Sequence, residues 1–132
     1  PHAVANSFIK MMQSIDVDFS ITHPEGYALD PNITKNTPIS YDQEEALKDA
    51  DFVYVKNWSS YDNYGQVLDQ NPDWMITQEK IGNATCMHCL PVRRNMVIED
   101  AVLDSDNSAV IQQAGNRTFA AQVVLKKILE NL

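Results

Sequence analysis

The chain has 132 residues, which at roughly 100–200 residues per domain predicts one compact domain. Ten Lys and Arg residues against eighteen Asp and Glu residues give a formal net charge of −8, which argues against nucleic-acid binding and against attachment to an anionic membrane. No apolar stretch approaches the roughly 20 residues that span a bilayer, and no secretion signal opens the chain. Composition therefore predicts an acidic, globular, cytoplasmic domain.

The first part of the chain alternates predicted helices and strands. Apolar residues recur every three or four positions over residues 3–15, which predicts a helix with one buried face. Residues 18–22 alternate as a short strand, and residues 24–38 predict a long loop with one helical turn. Residues 42–49 predict a short polar helix that begins after a capping aspartate.

The middle of the chain predicts two further strands. Residues 51–55 (DFVYV) are apolar enough to be buried on both faces of a sheet. A polar loop with tyrosines follows over residues 59–65, and residues 66–82 have a helical pattern that Pro72 interrupts. Residues 84–88 predict the next strand.

The last part of the chain completes an α/β pattern. Residues 99–103 predict one or two helical turns, residues 109–112 (AVIQ) a last strand, and residues 116–131 a closing helix. Strands separated by helices favour right-handed crossovers and a parallel sheet. We therefore expect one doubly wound, Rossmann-like, three-layer domain with helices on both faces of its sheet.

The two cysteines form one C-x-x-C motif, Cys86-Met87-His88-Cys89. A structural zinc site needs four ligands, and the three histidines have no zinc-finger spacing. A redox motif normally opens a helix, whereas Pro91 follows here directly after a predicted strand. Because side chains alternate faces along a strand, we expect the two thiols to remain unbridged and without metal.

Three segments near predicted strand ends carry unusual chemistry. They are Lys56-Asn57-Trp58, residues 88–94 (HCLPVRR) and Asn116-Arg117. In parallel sheets, ligands bind beyond the carboxyl ends of the strands. The sequence therefore predicts that these segments converge on one rim of the sheet.

Residues 87–95 (MHCLPVRRN), 113–117 (QAGNR) and 3–8 (AVANSF) together resemble the aspartate/ornithine carbamoyltransferase family. His-Cys-Leu-Pro resembles the ornithine branch. Lys56-Asn57-Trp58 and the Arg-Arg-Asn extension resemble enzymes that act on N-succinyl- or N-acetylornithine. The resemblance covers residues 1–132 as the second, ornithine-binding domain, and the motifs of the carbamoyl-phosphate domain do not occur in this sequence.

The resemblance implies a role for each candidate residue. The main-chain carbonyls of Cys89 and Leu90 would contact the carbamoyl amino group, with the Cys89 side chain near the attacking amine. Arg117 would bind carbamoyl phosphate. Lys56 would reach the acyl-ornithine, and the Arg93 guanidinium would bind a succinyl carboxylate, for which its geometry is suited.

Other interpretations of these residues remain open. Asn6 is expected either to bind substrate or only to cap the first helix. In the alternative interpretation, in which neither residue has a functional role, Cys89 is a small buried residue and Arg93 is a solvated surface charge. Arg117 opens the predicted closing helix, where the helix dipole disfavours a cation unless an anion lies nearby. Gln113 stands where relatives commonly have Glu, which removes one charged partner near Arg117.

As a whole, the resemblance implies a cytoplasmic, homotrimeric carbamoyltransferase of arginine biosynthesis. Its substrates would be carbamoyl phosphate and an N-acylated ornithine, its partner an N-terminal carbamoyl-phosphate domain, and it would need no cofactor or metal. The alternatives are an enzyme that uses free ornithine and a non-catalytic domain that binds small molecules or partner proteins. We expect residues 1–132 alone to be inactive.

The family also has a central strand before the first helix of this domain. Residues 1–132 begin after the corresponding position. Two neighbouring strands with unpaired backbone groups would be costly to bury. We therefore expect another segment between them, or a sheet that is split and repacked.

Overall fold

The computed structural model describes residues 2–60 and 72–132, along which helices alternate with short strands. No helix in these ranges is long and apolar enough to cross a membrane. In chain order the elements are α1 (Ala3–Met12), β1 (Ile21–Thr22), α2 (Pro31–Thr34), β2 (Ile39–Ser40), α3 (Gln43–Leu47), β3 (Phe52–Val55), a 3-10 turn (Pro72–Trp74), α4 (Gln78–Ile81), β4 (Thr85–His88), α5 (Asp100–Leu103) and α6 (Val110–Leu129).

All strand pairs in the described ranges are parallel, which confirms the α/β class. Strand β1 pairs with β2, and β3 pairs with β4 over four residues, with Val55 opposite His88. The two pairs are separate two-stranded sheets. Within the described part of the chain the sheet therefore has the split form, which was one of the two expected arrangements.

The β3–β4 pair lies between helices. Val53 and Val55 of β3 are buried, and they join Cys86 of β4 in the main hydrophobic core. On the opposite face, the ring of Tyr54 stacks on Phe8 of α1, with ring centroids 4.3 Å apart. The core is completed by residues that come mainly from the helices and from the segment before α5: Leu47, Ile76, Ile81, Ala84, Val97, Ile98, Val102, Leu103 and Val110.

The expectation that β3 is buried on both faces is wrong. Its burial alternates, and the Phe52 side chain is 65% exposed. The strand has one face in the core and one face toward α1, although all four of its residues are apolar or aromatic. Helices on both faces of this strand pair agree with the predicted layers.

The predicted strand over residues 109–112 is also wrong, because these residues are the start of α6. Ser108 bridges to Cys86, and the Ala109 N–H donates to the Cys86 carbonyl at 2.8 Å. The Gln113 N–H then donates to the Ala109 carbonyl at 2.8 Å and closes the first helical turn. The β-branched Val110 and Ile111 favour a strand by propensity alone, but this hydrogen bonding starts a helix.

Smaller differences concern short elements. Strand β2 was missed, because two residues give no detectable alternation. The Asp42 carboxylate caps α3 as predicted, accepting the Glu45 N–H at 3.0 Å. Of the predicted helix over residues 66–82, the described part contains only the 3-10 turn and α4. Residues 61–71, which include most of the predicted tyrosine loop, lie outside the described residues.

Candidate functional site

Two segments that follow strands meet at the carboxyl ends of β3 and β4. Because Val55 is opposite His88 in the parallel register, the next residues, Lys56 and Cys89, lie side by side. The Lys56 Nζ lies 3.5 Å from the Cys89 Sγ. Asn57 donates from its Nδ2 to the Pro91 carbonyl at 2.8 Å. The structure thus brings together two of the three segments expected at this rim.

The segment that carries Lys56 is anchored by the indole of Trp58. Trp58 packs partly buried against the core and lies edge to face with Tyr27, with ring centroids 5.2 Å apart. Its centroid is 6.5 Å from that of Trp74. Such aromatic contacts restrict the backbone on either side, so Lys56 projects from a fixed support.

The turn after β4 is held from the inside by His88. This side chain is fully buried, and its Nδ1 accepts the Leu90 N–H at 2.8 Å. Leu90 has a positive φ of 53°, a conformation that costs energy for a residue with a branched side chain. The bond from Leu90 stabilises that conformation. His88 is therefore a structural histidine, buried and hydrogen-bonded to the turn.

The site has a positive electrostatic character that originates at Lys56. Burial, with an added contribution from the Lys56 charge, lowers the pKa of His88 to about 4. Burial also lowers the pKa of His2, again with a contribution from the Lys56 charge. Both imidazoles are thus neutral at pH 7, whereas Lys56 supplies an ammonium group at this rim. Such a group suits an anionic ligand.

Tyr54 was not among the predicted site residues, yet the strand register places it on the same face of the β3–β4 pair as Lys56 and Cys89. Burial raises the pKa of Tyr54 to about 12, with further increases from the charge of Cys89 and from a hydrogen bond between the two side chains. The side chain of Gln113 also hydrogen-bonds the Tyr54 hydroxyl and opposes this increase. The signal available in the sequence was the spacing of two between Tyr54 and Lys56, which places both on one face of β3.

Several buried polar atoms near this rim have no hydrogen-bond partner among the residues that the structure describes. They are Oδ1 of Asn57, Nε2 of His88 and Oε1 of Gln113. Asn57 follows Lys56, His88 precedes Cys89, and Gln113 contacts Tyr54. Buried polar atoms are normally hydrogen-bonded, so such a group of atoms is typical of a binding site.

Asn6 lies inside α1, which excludes its interpretation as a helix cap. The helix begins after His2, and the Asn6 N–H donates to the His2 carbonyl at 2.9 Å. Asn6 is one turn beyond His2 and on the same side of the helix, because residues four apart are neighbours on a helix surface. Its assignment to substrate binding stays a prediction.

The two adjacent arginines differ in their contacts. Arg94 is ion-paired with Asp100 and Asp104, both at 2.7 Å. Arg93 is exposed, and no ion pair joins it to any residue that the structure describes. The guanidinium of Arg94 therefore stabilises the turn before α5, whereas that of Arg93 is accessible to an anionic ligand.

Arg117 lies in the interior of α6 and does not open a helix as expected. The argument from the helix dipole is therefore wrong for this residue, because that effect is confined to the first turn. Arg117 is exposed and follows Gln113 by one turn on the same face of α6. No direct contact links it to Cys89 in the described ranges, so its role in binding carbamoyl phosphate stays a prediction.

The two cysteines lie on opposite faces of β4, as alternation predicts. Both are free thiols, Cys86 fully buried and Cys89 partly exposed. Burial raises the pKa of Cys86 to about 11. Only Cys89 is therefore accessible to a ligand or a reagent.

Replacing Lys56 by Met should slow alkylation of Cys89 by iodoacetamide roughly threefold or more at pH 7.5, because the variant lacks the ammonium group that lies 3.5 Å from the reacting sulfur. Mass spectrometry of the peptide that contains Cys89, in the full-length protein, measures the rate. Lys35→Met is the matched control, because Lys35 is exposed and lies between α2 and β2, not at the ends of β3 and β4. An unchanged rate in Lys56→Met would show that the contact has no influence on the thiol.

Stability should decrease below pH 6.5 because of His88. The unfolded chain binds a proton on this imidazole at a pKa near 6.5, whereas the folded protein does so only near 4. The free energy of unfolding should therefore fall by about 2 kcal/mol between pH 7 and pH 5 from this group alone. His88→Asn keeps an acceptor for the Leu90 N–H and removes the titration. Urea unfolding at both pH values should show a correspondingly smaller pH effect in the variant, and equal effects would contradict the assignment.

The model of the aspartate/ornithine carbamoyltransferase Asp/Orn-binding domain matches residues 2–128. The chain is 50% identical over 137 residues to an N-succinylornithine carbamoyltransferase of Bacteroides fragilis (strain 638R) and 49% identical to one of Bacteroides thetaiotaomicron. Each alignment covers 100% of this chain and 43% of the relative. The chain thus spans less than half the length of these relatives.

A solved structure shows the same fold. It is an N-acetyl-L-ornithine transcarbamylase mutant complexed with carbamyl phosphate and N-succinyl-L-norvaline, with a TM-score of 0.72 and 30% sequence identity. The match covers 86% of this chain and 40% of that chain. Because the domain model covers nearly every residue, the chain belongs to the aspartate/ornithine carbamoyltransferase family and corresponds to its Asp/Orn-binding domain.

Proposed function

We propose that this chain is the amino-acid-binding half of an enzyme that transfers a carbamoyl group from carbamoyl phosphate to the side-chain amine of an N-acylated ornithine. The observation that supports this most is the contact between the Lys56 ammonium group and the Cys89 sulfur at the ends of β3 and β4. The 50% identity to an N-succinylornithine carbamoyltransferase favours a succinyl group over an acetyl group.

The reaction joins the neutral amine nitrogen to the carbonyl carbon of carbamoyl phosphate. A tetrahedral oxyanion forms, the bond from carbon to the phosphate oxygen breaks, phosphate leaves, and the amine loses one proton. Such a reaction depends on positioning the two substrates and on stabilising the developing negative charge. The Lys56 ammonium group and the carbonyl groups of the restrained turn after β4 are suited to both tasks.

In this proposal, the residues at the ends of β3 and β4 bind the acyl-ornithine. Lys56 holds its carboxylate, since it supplies an ammonium group at this rim. Cys89 and Leu90, in the turn held by His88 and Asn57, present their carbonyls to the carbamoyl amino group. Arg93, which has no ion-pair partner in the described part of the chain, binds the succinyl carboxylate.

The second substrate site completes the enzyme. Arg117 would bind carbamoyl phosphate from its exposed position on α6, together with an N-terminal carbamoyl-phosphate domain. Asn6 would supply an acceptor to the substrate from α1. We propose a homotrimeric, cytoplasmic enzyme of arginine biosynthesis that needs no cofactor or metal.

The proposal is tested by assaying the full-length protein for product from carbamoyl phosphate and each of three amines. N-succinylornithine should give the highest kcat/KM, N-acetylornithine a lower value, and ornithine the lowest. Residues 1–132 alone should give no product above the rate without protein. Equal use of free ornithine would favour the ornithine branch, and no turnover with any amine would favour a non-catalytic binding domain.

In the full-length enzyme, Arg93→Ala should raise KM for N-succinylornithine about tenfold or more and leave KM for N-acetylornithine nearly unchanged. The reason is that a hydrogen bond to a charged group contributes roughly 1.5–3 kcal/mol, and only the succinyl group has the extra carboxylate. Arg94→Ala is the matched control, since its guanidinium is already paired with Asp100 and Asp104. Equal effects of Arg93→Ala on both substrates would remove Arg93 from the acyl pocket.

A further inference from the structure

We infer that Lys56 and Cys89 form a covalent bridge under oxidation, a sulfenamide bond between the cysteine sulfur and the lysine nitrogen. The co-reactant is hydrogen peroxide or another small hydroperoxide. The pair is thus a modification site, and the bridge switches the proposed function off in a way that an added thiol reverses.

The two reacting atoms are already neighbours. The Lys56 Nζ lies 3.5 Å from the Cys89 Sγ, just beyond two strands whose parallel register sets Val55 opposite His88. Cys89 is therefore paired with an amine and is not an isolated thiol. Bond formation requires the two atoms to approach further, and the flexible stem of the exposed Lys56 permits this movement.

The backbone beside the two reacting residues keeps them in contact. Asn57 donates from its Nδ2 to the Pro91 carbonyl at 2.8 Å, which ties the segment after β3 to the turn after β4. Within that turn, the Leu90 N–H donates to the buried ring of His88 at 2.8 Å. A reaction between two groups that are held together is strongly favoured over the same reaction between free molecules.

Both side chains are open to a small oxidant and to each other. Cys89 is partly exposed, whereas Cys86 is fully buried, so peroxide reaches only one of the two thiols. Lys56 is exposed, and no ion pair joins it to any residue that the structure describes. Its nitrogen is therefore not held by a carboxylate and is available to the sulfur.

The bridge forms in two balanced steps. Hydrogen peroxide first oxidises the Cys89 thiol to a sulfenic acid and is itself reduced to water. The neutral Lys56 amine then attacks the sulfur, the S–N bond forms, the S–O bond breaks, and the hydroxyl leaves with one amine proton as water. One thiol, one amine and one peroxide thus give one sulfenamide and two waters. Two molecules of an added thiol restore the Cys89 thiol and the Lys56 amine and become one disulfide.

The bridge removes the amine that the proposed function assigns to the carboxylate of the acyl-ornithine. Peroxide should therefore stop turnover in the full-length enzyme, and dithiothreitol should restore it. This consequence rests on the proposed function. The bridge itself rests only on the contact between the Lys56 nitrogen and the Cys89 sulfur.

The test treats the full-length protein with a small excess of hydrogen peroxide at about pH 8.5, where more lysine is neutral than at pH 7, and maps the products by peptide mass spectrometry. We expect a linked pair of peptides that contain Lys56 and Cys89, with a mass two hydrogen atoms below their sum. This link should be roughly tenfold or more abundant than any other link between a lysine and a cysteine. Dithiothreitol should remove it.

Lys56→Arg is the matched variant, because it keeps the positive charge and replaces the amine by a guanidinium. In this variant the bridge should be lost, while Cys89 is still oxidised. Lys35→Arg is the control and should keep the bridge, since Lys35 is exposed and lies between α2 and β2.

Oxidation of Cys89 in the native protein with Lys56 left unmodified would overturn the inference, and this result needs no variant. A bridge of equal abundance in Lys56→Arg would also overturn it. In the native protein, peroxide should lower turnover of N-succinylornithine at least about tenfold, in proportion to the bridged fraction. A bridge in a protein that transfers no carbamoyl group to any amine would uphold the inference and overturn the proposed function.

Discussion

The parallel register of β3 and β4 determines the rest of the site. With Val55 opposite His88, the side chains on one face of the strand pair enter the core. Those on the other face lie toward α1 and the rim. His88 is thereby buried, where it holds the Leu90 N–H, while Cys89 is placed beside Lys56. A shift of one residue in this pairing would exchange the two faces and put the ammonium of Lys56 against apolar side chains.

The same register separates a buried from an accessible cysteine. Cys86 is fully buried in the core, and Cys89 is partly exposed at the rim. A similar division holds for the adjacent arginines, of which Arg94 is ion-paired and Arg93 is open. In both pairs the division follows from neighbours in the fold, which give one member a fixed packing role and leave the other exposed to a ligand.

Part of this organisation could be predicted from the sequence, and part could not. The meeting of Lys56 with Cys89 followed from two strands that end just before these residues. Tyr54 was missed because its strand has a uniformly apolar pattern, and its ring contacts Phe8 only once α1 is in place. The start of α6 was missed because Val110 and Ile111 have strand propensity, while the bond from Ala109 to the Cys86 carbonyl is a long-range contact. That error also produced the wrong argument about Arg117.

The central proposal is that the acyl-ornithine binds against Lys56 and Cys89, beyond the carboxyl ends of β3 and β4. It is tested by labelling Cys89 with iodoacetamide in the full-length protein, with and without saturating carbamoyl phosphate and N-succinyl-L-norvaline. This analogue is bound in the related transcarbamylase structure, and it lacks the side-chain amine that would react. We expect the ligands together to slow labelling of Cys89 at least tenfold. An unchanged labelling rate, with binding of the analogue verified by calorimetry in the same samples, would place the ligand elsewhere and contradict the account.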